Sequence, residues 1–164
     1  MTDRKTWTPS DVVDVSGPSA LLRNYLEQRD VRAYLQRAAG DAPIRRAYDI
    51  GAGFGRLTPV LTEVAAEVVG FEREAALADV ARGLVPAARF EQVATLESLP
   101  VADASADVVL TFTVLQHMPD ARAEAVIAEI RRVLKPGGRL CVADLTVENE
   151  LPPEVMNNEA AWAG

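Results

Sequence analysis

The stretch Tyr48-Asp49-Ile50-Gly51-Ala52-Gly53-Phe54-Gly55-Arg56 decides the fold. It begins inside a short apolar run, Ala47–Ile50, which predicts a first strand. It ends where Leu57, Val60, Leu61 and Val64 begin to recur at the spacing of one helix face, predicting a helix over residues 56–66. Pro59 fits that helix only in its first turn, where a missing N–H is not needed. Glycines in between permit a tight turn and let backbone atoms approach a ligand without a Cβ, and the helix start offers unpaired N–H groups. Such a bend suits a nucleotide-like cofactor, although it can also be no more than a tight loop. Position 56 separates two cofactor classes. In the dinucleotide fingerprint the third glycine stands sixth, so that helix and strand pack closely over pyrophosphate. Here Arg56 stands sixth and the third glycine comes one residue early, which argues against an NAD-linked oxidoreductase.

Working outward, Glu67–Glu72 reads as a second strand and Arg73–Gly83 as a helix with Leu77, Val80 and Ala81 inward. Glu72 ends its strand beside the first one. Its carboxylate can accept hydrogen bonds from both hydroxyls of a ribose at the carboxyl edge of the sheet, or simply be a solvated strand end. Arg89–Val93 predicts a short third strand. Asp107–Phe112 predicts a fourth, its unbroken apolar run matching burial on both faces of a parallel sheet. Asp120 is placed to cap a helix running to Leu134, with Ala123, Val126, Ile127, Ile130 and Val133 or Leu134 as its buried stripe. Lys135-Pro-Gly-Gly138 then turns the chain, with Gly137 at the positive-φ position, into a fifth strand over Arg139–Leu145. The expected class is α/β: a doubly wound, mostly parallel sheet with helices on both faces and five visible strands.

Upstream, residues 1–20 hold Pro9, Gly17 and Pro18 and little periodicity. Leu22, Tyr25, Leu26, Val31, Tyr34 and Leu35 predict one or two amphipathic helices over 19–39, against the sheet or across its carboxyl edge, ended by Gly40 to Pro43. Downstream, Pro152-Pro153 breaks the tail and Val155–Ala163 predicts a short helix anchored by Met156 and Trp162. The division expected is 1–44 as arm and helical cap, 45–147 as core and 148–164 as a short tail.

Composition narrows the function. The 164 residues are 49% apolar with a formal net charge of −7, the balance of one structured domain rather than a disordered chain. That charge disfavours a nucleic-acid partner, and the basic pairs Arg45-Arg46 and Arg131-Arg132 read as solvated borders. Met1–Lys5 are followed by no apolar core and no run approaches a membrane span, so a cytoplasmic protein with no membrane partner is expected. Cys141 lies in an apolar strand, as filler or, on the minority reading, as a nucleophile or ligand. With His117 the only histidine, a zinc site has too few candidates and no metal is expected.

Five pieces in this order resemble the class I S-adenosylmethionine (SAM)-dependent methyltransferases, small-molecule branch, with a domain of the methyltransferase-11 or 12 type. They are Asp49-Ile-Gly-Ala-Gly-Phe-Gly55, Val69-Gly-Phe-Glu72, Leu99-Pro-Val-Ala-Asp-Ala-Ser-Ala-Asp107-Val-Val, Val114-Leu-Gln-His117-Met-Pro-Asp120 and Val133-Leu-Lys-Pro-Gly-Gly138. The resemblance covers about residues 45–147. It implies a SAM cofactor and a small-molecule substrate. It places Gly51, Gly53 and Gly55 beside the methionine and ribose parts, Asp49 near the amino-acid end, Glu72 on the ribose and Arg73 near adenine. Thr95 stands where relatives commonly carry Asp for the adenine amino group, so its hydroxyl, or the carboxylate of Glu97, would have to substitute. The N–H of Leu96 would meet a ring nitrogen, and Thr113 and Val114 would line the methionine side.

The implied reaction is in-line displacement at the methyl of a sulfonium. It needs chiefly an acceptor held close and deprotonated where required, with no catalytic triad. His117, just past strand four, is the first candidate for a general base; support of its loop is the competing reading. Asp144 either orients an acceptor or caps a neighbouring turn. Tyr25, Trp7 and Trp162 are lid aromatics or packing anchors. The family usually adds a helix and two strands after strand five, so the domain is expected to be incomplete: a truncated species, a reduced form, or one whose edge a partner supplies, since an uncovered fifth strand favours association, for instance with another copy. A SAM-binding or assembly protein without turnover is the alternative.

Overall fold

The computed structural model describes residues 18–39 and 43–144. Five parallel strands form one sheet in the order β3-β2-β1-β4-β5: β1 (Ile44–Ile50), β2 (Ala65–Glu72), β3 (Arg89–Gln92), β4 (Ala106–Phe112) and β5 (Leu134–Ala143). The helices are α1 (Pro18–Ala39), α2 (Thr58–Thr62), α3 (Ala75–Leu84) and α4 (Asp120–Val133), with a 3₁₀ turn at Leu115–His117. The order reverses between β1 and β4, so the chain diverges there and opens a crevice at the carboxyl ends of the strands, where open α/β sheets bind ligands.

Alternation along the strands sends side chains to two cores. On one face Tyr48, Ile50, Val69, Phe71 and Val109 meet Val126, Ile130 and Val133 of α4. On the other, Ala47, Val68, Val108, Leu110 and Cys141 meet Leu57, Val60 and Leu61 around α2 and Val31 and Leu35 of α1. α1 is a single helix. Arg32 joins Glu63 with two hydrogen bonds of 2.6 and 2.7 Å, and the Tyr34 hydroxyl donates to the Leu140 carbonyl at 2.7 Å.

Several boundaries differ from expectation. β1 and β2 begin earlier because Ile44 pairs with Ala65, and this pairing cuts α2 to five residues, with Pro59 in its first turn as expected. Asp120 is not a cap: Pro119 is the N-cap, no side chain bonds there, and Asp120 is already helical, its carboxylate left to favour the positive helix end. On α4 Ile127 is exposed and Glu129 buried, the reverse of their chemistry; Val80 of α3 is half-buried while Ala78 is buried. Lys135–Gly138 bulge from β5 between the pairs Ala106–Leu134 and Val108–Arg139, with Gly137 at φ +77°. At the same end of the sheet one Asp107 oxygen accepts from the Arg45 and Arg46 amides, at 2.9 and 2.8 Å, and the other from Lys135 Nζ at 2.7 Å. β5 ends at Ala143; Leu145, Trp7, Trp162, Met156 and the tail helix lie outside the described residues.

Candidate functional site at the carboxyl edge of the sheet

The glycine bend leaves β1 with Gly51, Gly53 and Gly55 all left-handed, at φ +71°, +56° and +82°. The amides of Gly51 and Ala52 both donate to the Phe71 carbonyl, at 2.9 and 3.1 Å, folding the bend against the end of β2. A Cβ on Gly51 would stand 2.5 Å from Val114 Cγ2, so the bend is also pressed against the segment after β4. Glu72 is buried at the end of β2. Its Oε2 accepts from the Gly53 amide at 2.8 Å, and its Oε1 from the amides of Arg73 and Glu74 at 2.7 and 2.9 Å. Three of the roughly four acceptor positions of a carboxylate are thus filled by backbone. Glu72 is no solvated strand end: it fixes the bend, with room on Oε2 for one further donor.

Asp49, only 4% exposed, receives the Thr58 hydroxyl at 2.6 Å. Burial raises its pKa to about 6, helped by the charge of Glu72 and opposed by the Thr58 bond and the Arg56 charge. Arg56 reaches back to α1. Its guanidinium pairs with Glu27, donates to Asn24 Oδ1 at 3.1 Å and lies 5.4 Å from the centre of the Phe112 ring. Its carbonyl accepts from Gln28 Nε2 at 3.1 Å. Sequence reasoning missed Thr58 and the α1 partners of Arg56. Thr58 at a helix start, nine positions past Asp49, was a usable signal; the α1 contacts join residues about 30 apart and left none.

Beyond β3 an open cavity of about 340 Å³ is lined by Gln92, Val93, Ala94, Thr95, Ser98, Leu99 and Pro100. Thr95 Oγ1 accepts from the Glu97 amide at 3.3 Å, and Leu96 is buried. Arg122 of α4 pairs with Glu97 through one carboxylate oxygen, and that bond holds the Glu97 pKa below the usual carboxylate range, so the group stays an ionised acceptor. Arg73 is half-buried, its guanidinium 3.4 Å from Glu74.

At the end of β4, Thr113 is exposed with φ +54°, and its hydroxyl donates to the Phe112 carbonyl at 2.7 Å. Val114 leads into the 3₁₀ turn and His117 ends it, exposed, its Nε2 3.3 Å from Gln116 Nε2. Asp144 Oδ1 accepts from the Gln116 amide at 3.2 Å, with the Val114 and Leu115 amides adding to its hold, while burial raises its pKa. Asp144 therefore caps the turn that carries His117. Asp144 Oδ2 and Thr111 Oγ1 are buried with no hydrogen-bond partner among the described residues.

Cys141 is buried and its thiol pushed up to about 11 by burial, which suits filler and not a nucleophile. Tyr25 is 64% exposed and so is no packing anchor. Among the described residues no group of three or more His, Cys, Asp or Glu could hold a metal, and no helix is long and apolar enough to cross a membrane. Arg46 pairs with Glu67 at the surface and Arg131 is exposed, as solvated borders should be, but Arg132 is not one of them.

Residues 48–142 match the family described as a methyltransferase domain. Methyltransferase Rv3342 of Mycobacterium tuberculosis is 39% identical over 99 residues, which are 60% of this chain and 39% of that protein. A probable S-adenosylmethionine-dependent methyltransferase of Mycolicibacterium smegmatis is 32% identical over 126 residues, 77% of this chain and 48% of the relative. Among solved structures, the [4+2]-cyclase SpnF superposes with a TM-score of 0.60 at 28% identity, covering 71% of this chain and 44% of SpnF. The chain therefore spans less than half the length of each of these proteins.

Proposed function

The chain belongs to the class I SAM-dependent methyltransferases, and from that membership we propose that it transfers a methyl group from SAM to an oxygen, nitrogen or carbon of a small molecule. The observation that carries the reading is the buried Glu72 carboxylate fastened to a left-handed glycine bend, with an open cavity past β3 whose lining begins at Gln92, the strand neighbour of Glu72. The residues present fit the cofactor. Glu72 Oε2 keeps capacity for a hydroxyl donor, three of the five bend residues lack a Cβ, and Thr95 and Leu99 line a cavity on the scale of small-molecule sites. SAM supplies an electrophilic methyl group on a positively charged sulfur.

In this reading Gly51, Gly53 and Gly55 flank the methionine and ribose parts, and Asp49 steadies the amino-acid end. Glu72 takes a ribose hydroxyl, while Arg73, Thr95 and Leu96 face the adenine. Thr113 and Val114 line the methionine side. His117 receives a proton from an O–H or N–H acceptor, and Asp144 holds the turn on which His117 sits. Residues 45–147 form the cofactor core, with 1–44 as cap and 148–164 as tail. β5 pairs only with β4 among the described residues and exposes Val142, which supports a second copy along that edge.

A second reading, SAM binding with other chemistry or none, is favoured by the likeness to SpnF, a cyclase. Calorimetry with SAM, S-adenosylhomocysteine and NAD tests the cofactor: the first two should bind, and binding of NAD alone would refute the proposal. Glu72→Ala should weaken SAM binding by at least about 1 kcal/mol, a buried hydrogen-bond partner being lost. A metabolite screen for a product heavier by one methylene separates transfer from binding alone.

A further inference from the structure

Arg132, expected from the sequence at a solvated border, and Glu129, given no role there, stand one turn apart on α4. Glu129 is 7% exposed. The Arg132 guanidinium places all five of its N–H donors. Nε and Nη2 grip the two Glu129 oxygens at 2.7 and 2.6 Å; Nη1 reaches the Val101 carbonyl at 2.9 Å and Asp103 Oδ1 at 2.6 Å; Nη2 also reaches the Leu99 carbonyl at 3.2 Å. Glu129 Oε1 in turn accepts from the Leu99 amide at 2.6 Å. One ion pair thus captures both the main-chain donor and the main-chain acceptor of Leu99. The far end of the same loop is fixed as well: the amides of Ala104 and Ser105 donate to the carbonyls of Arg132 and Val133, at 2.9 and 2.8 Å.

Leu99 and Pro100 line the cavity past β3 together with Val93 and Thr95. A solvated border needs none of these bonds. We propose that Glu129 and Arg132 are positioning residues for adenine recognition, holding the Leu99-Pro100 wall at the depth the base requires without touching the cofactor. The proposal rests on the SAM reading of the site. A lysine at 132 keeps the charge but offers three donors from one atom, too few to reach four acceptor groups in different directions.

The test is calorimetry with S-adenosylhomocysteine and, by competition, adenosine, on the wild type, Glu129→Gln, Arg132→Lys and Asp103→Asn. Wild-type binding of S-adenosylhomocysteine tests the SAM reading by itself. Given that binding, E129Q and R132K should weaken both ligands about fivefold or more, by the same factor, because only the base end is disturbed. D103N, which removes an exposed partner outside the cavity wall, should stay within about twofold. Lowered melting temperatures with unchanged affinities for both ligands, or a loss confined to S-adenosylhomocysteine, would overturn the proposal. Should the variants not fold, hydrogen exchange on the wild type decides: adenosine should protect residues 97–103, and no change there also overturns it.

Discussion

Replacing Gly51 by alanine tests the closest approach in the site. Two costs add. A non-glycine residue in the left-handed region costs about 1 to 2 kcal/mol, and here φ is +71°. The new Cβ would stand 2.5 Å from Val114 Cγ2 and 3.0 Å from Cγ1, well inside contact, and a β-branched side chain has few rotamers into which to retreat. Overpacking of this kind costs about 1 to 3 kcal/mol. The variant should therefore lose about 2 to 5 kcal/mol, a fall in Tm of roughly 4 to 20 °C for a domain of this size. Gly53→Ala is the internal control. Its φ is also positive, at +56°, but nothing lies within 4 Å of the new atom, so only the first cost applies. Urea denaturation of Gly51→Ala, Val114→Ala and the double variant completes a cycle. Val114→Ala removes the two colliding methyls and should recover about 1 to 3 kcal/mol of the Gly51→Ala loss. If Gly51→Ala costs no more than Gly53→Ala, or the double variant recovers nothing, the contact between the bend and Val114 is wrong.

Asp49 is held at about 6 in the fold against 3.8 ordinarily, so its ionisation opposes folding: its penalty is absent below pH 3.8, grows as pH rises and is complete above about 6, at roughly 3 kcal/mol. Asp49→Asn should gain stability relative to wild type between pH 4 and pH 7 by a sizeable part of that amount in parallel urea titrations; a constant difference across the range contradicts the burial account. Arg56→Ala and Glu27→Ala should each cost about 1 to 2 kcal/mol and raise hydrogen exchange in residues 18–39, with the double variant little worse than either; additive losses would mean that the pair does not couple. Once an acceptor is found, His117→Ala should lower turnover at saturating SAM by about 100-fold or more while leaving SAM affinity near wild type; a change in affinity alone would mark His117 as loop support.

Much of the fold was legible because local chemistry and tertiary demand agreed. The glycine bend announced β1, the unbroken apolar run of β4 announced two covered faces, and Val126, Ile130 and Val133 announced the inner stripe of α4. Failures occurred where partners distant in sequence overrode local preference. Ala65 and Ala66 favour helix, yet pairing with Ile44 pulls them into β2 and ends α2 early. Ile127 faces solvent because the inward position went to Glu129, and only its pairing with Arg132 and the Leu99 amide makes a buried carboxylate tolerable there. In the site, the backbone bend and the placement of Glu72 were readable from spacing. That Glu72 spends most of its acceptor capacity on the chain's own amides was not, since backbone donors carry no residue code.

The Asp107 carboxylate has a mechanical consequence. By taking the amides of Arg45 and Arg46 in β1 and the ammonium of Lys135 in β5, from its own place in β4, it rivets three neighbouring strands at one end, like the pin of a hand fan. A sheet held at that end would spread, if it spreads at all, at the opposite rim, among the glycine bend, Val114 and Asp144. That rim is where the proposed SAM site lies, so the pin and the proposed site sit at opposite ends of the same strands.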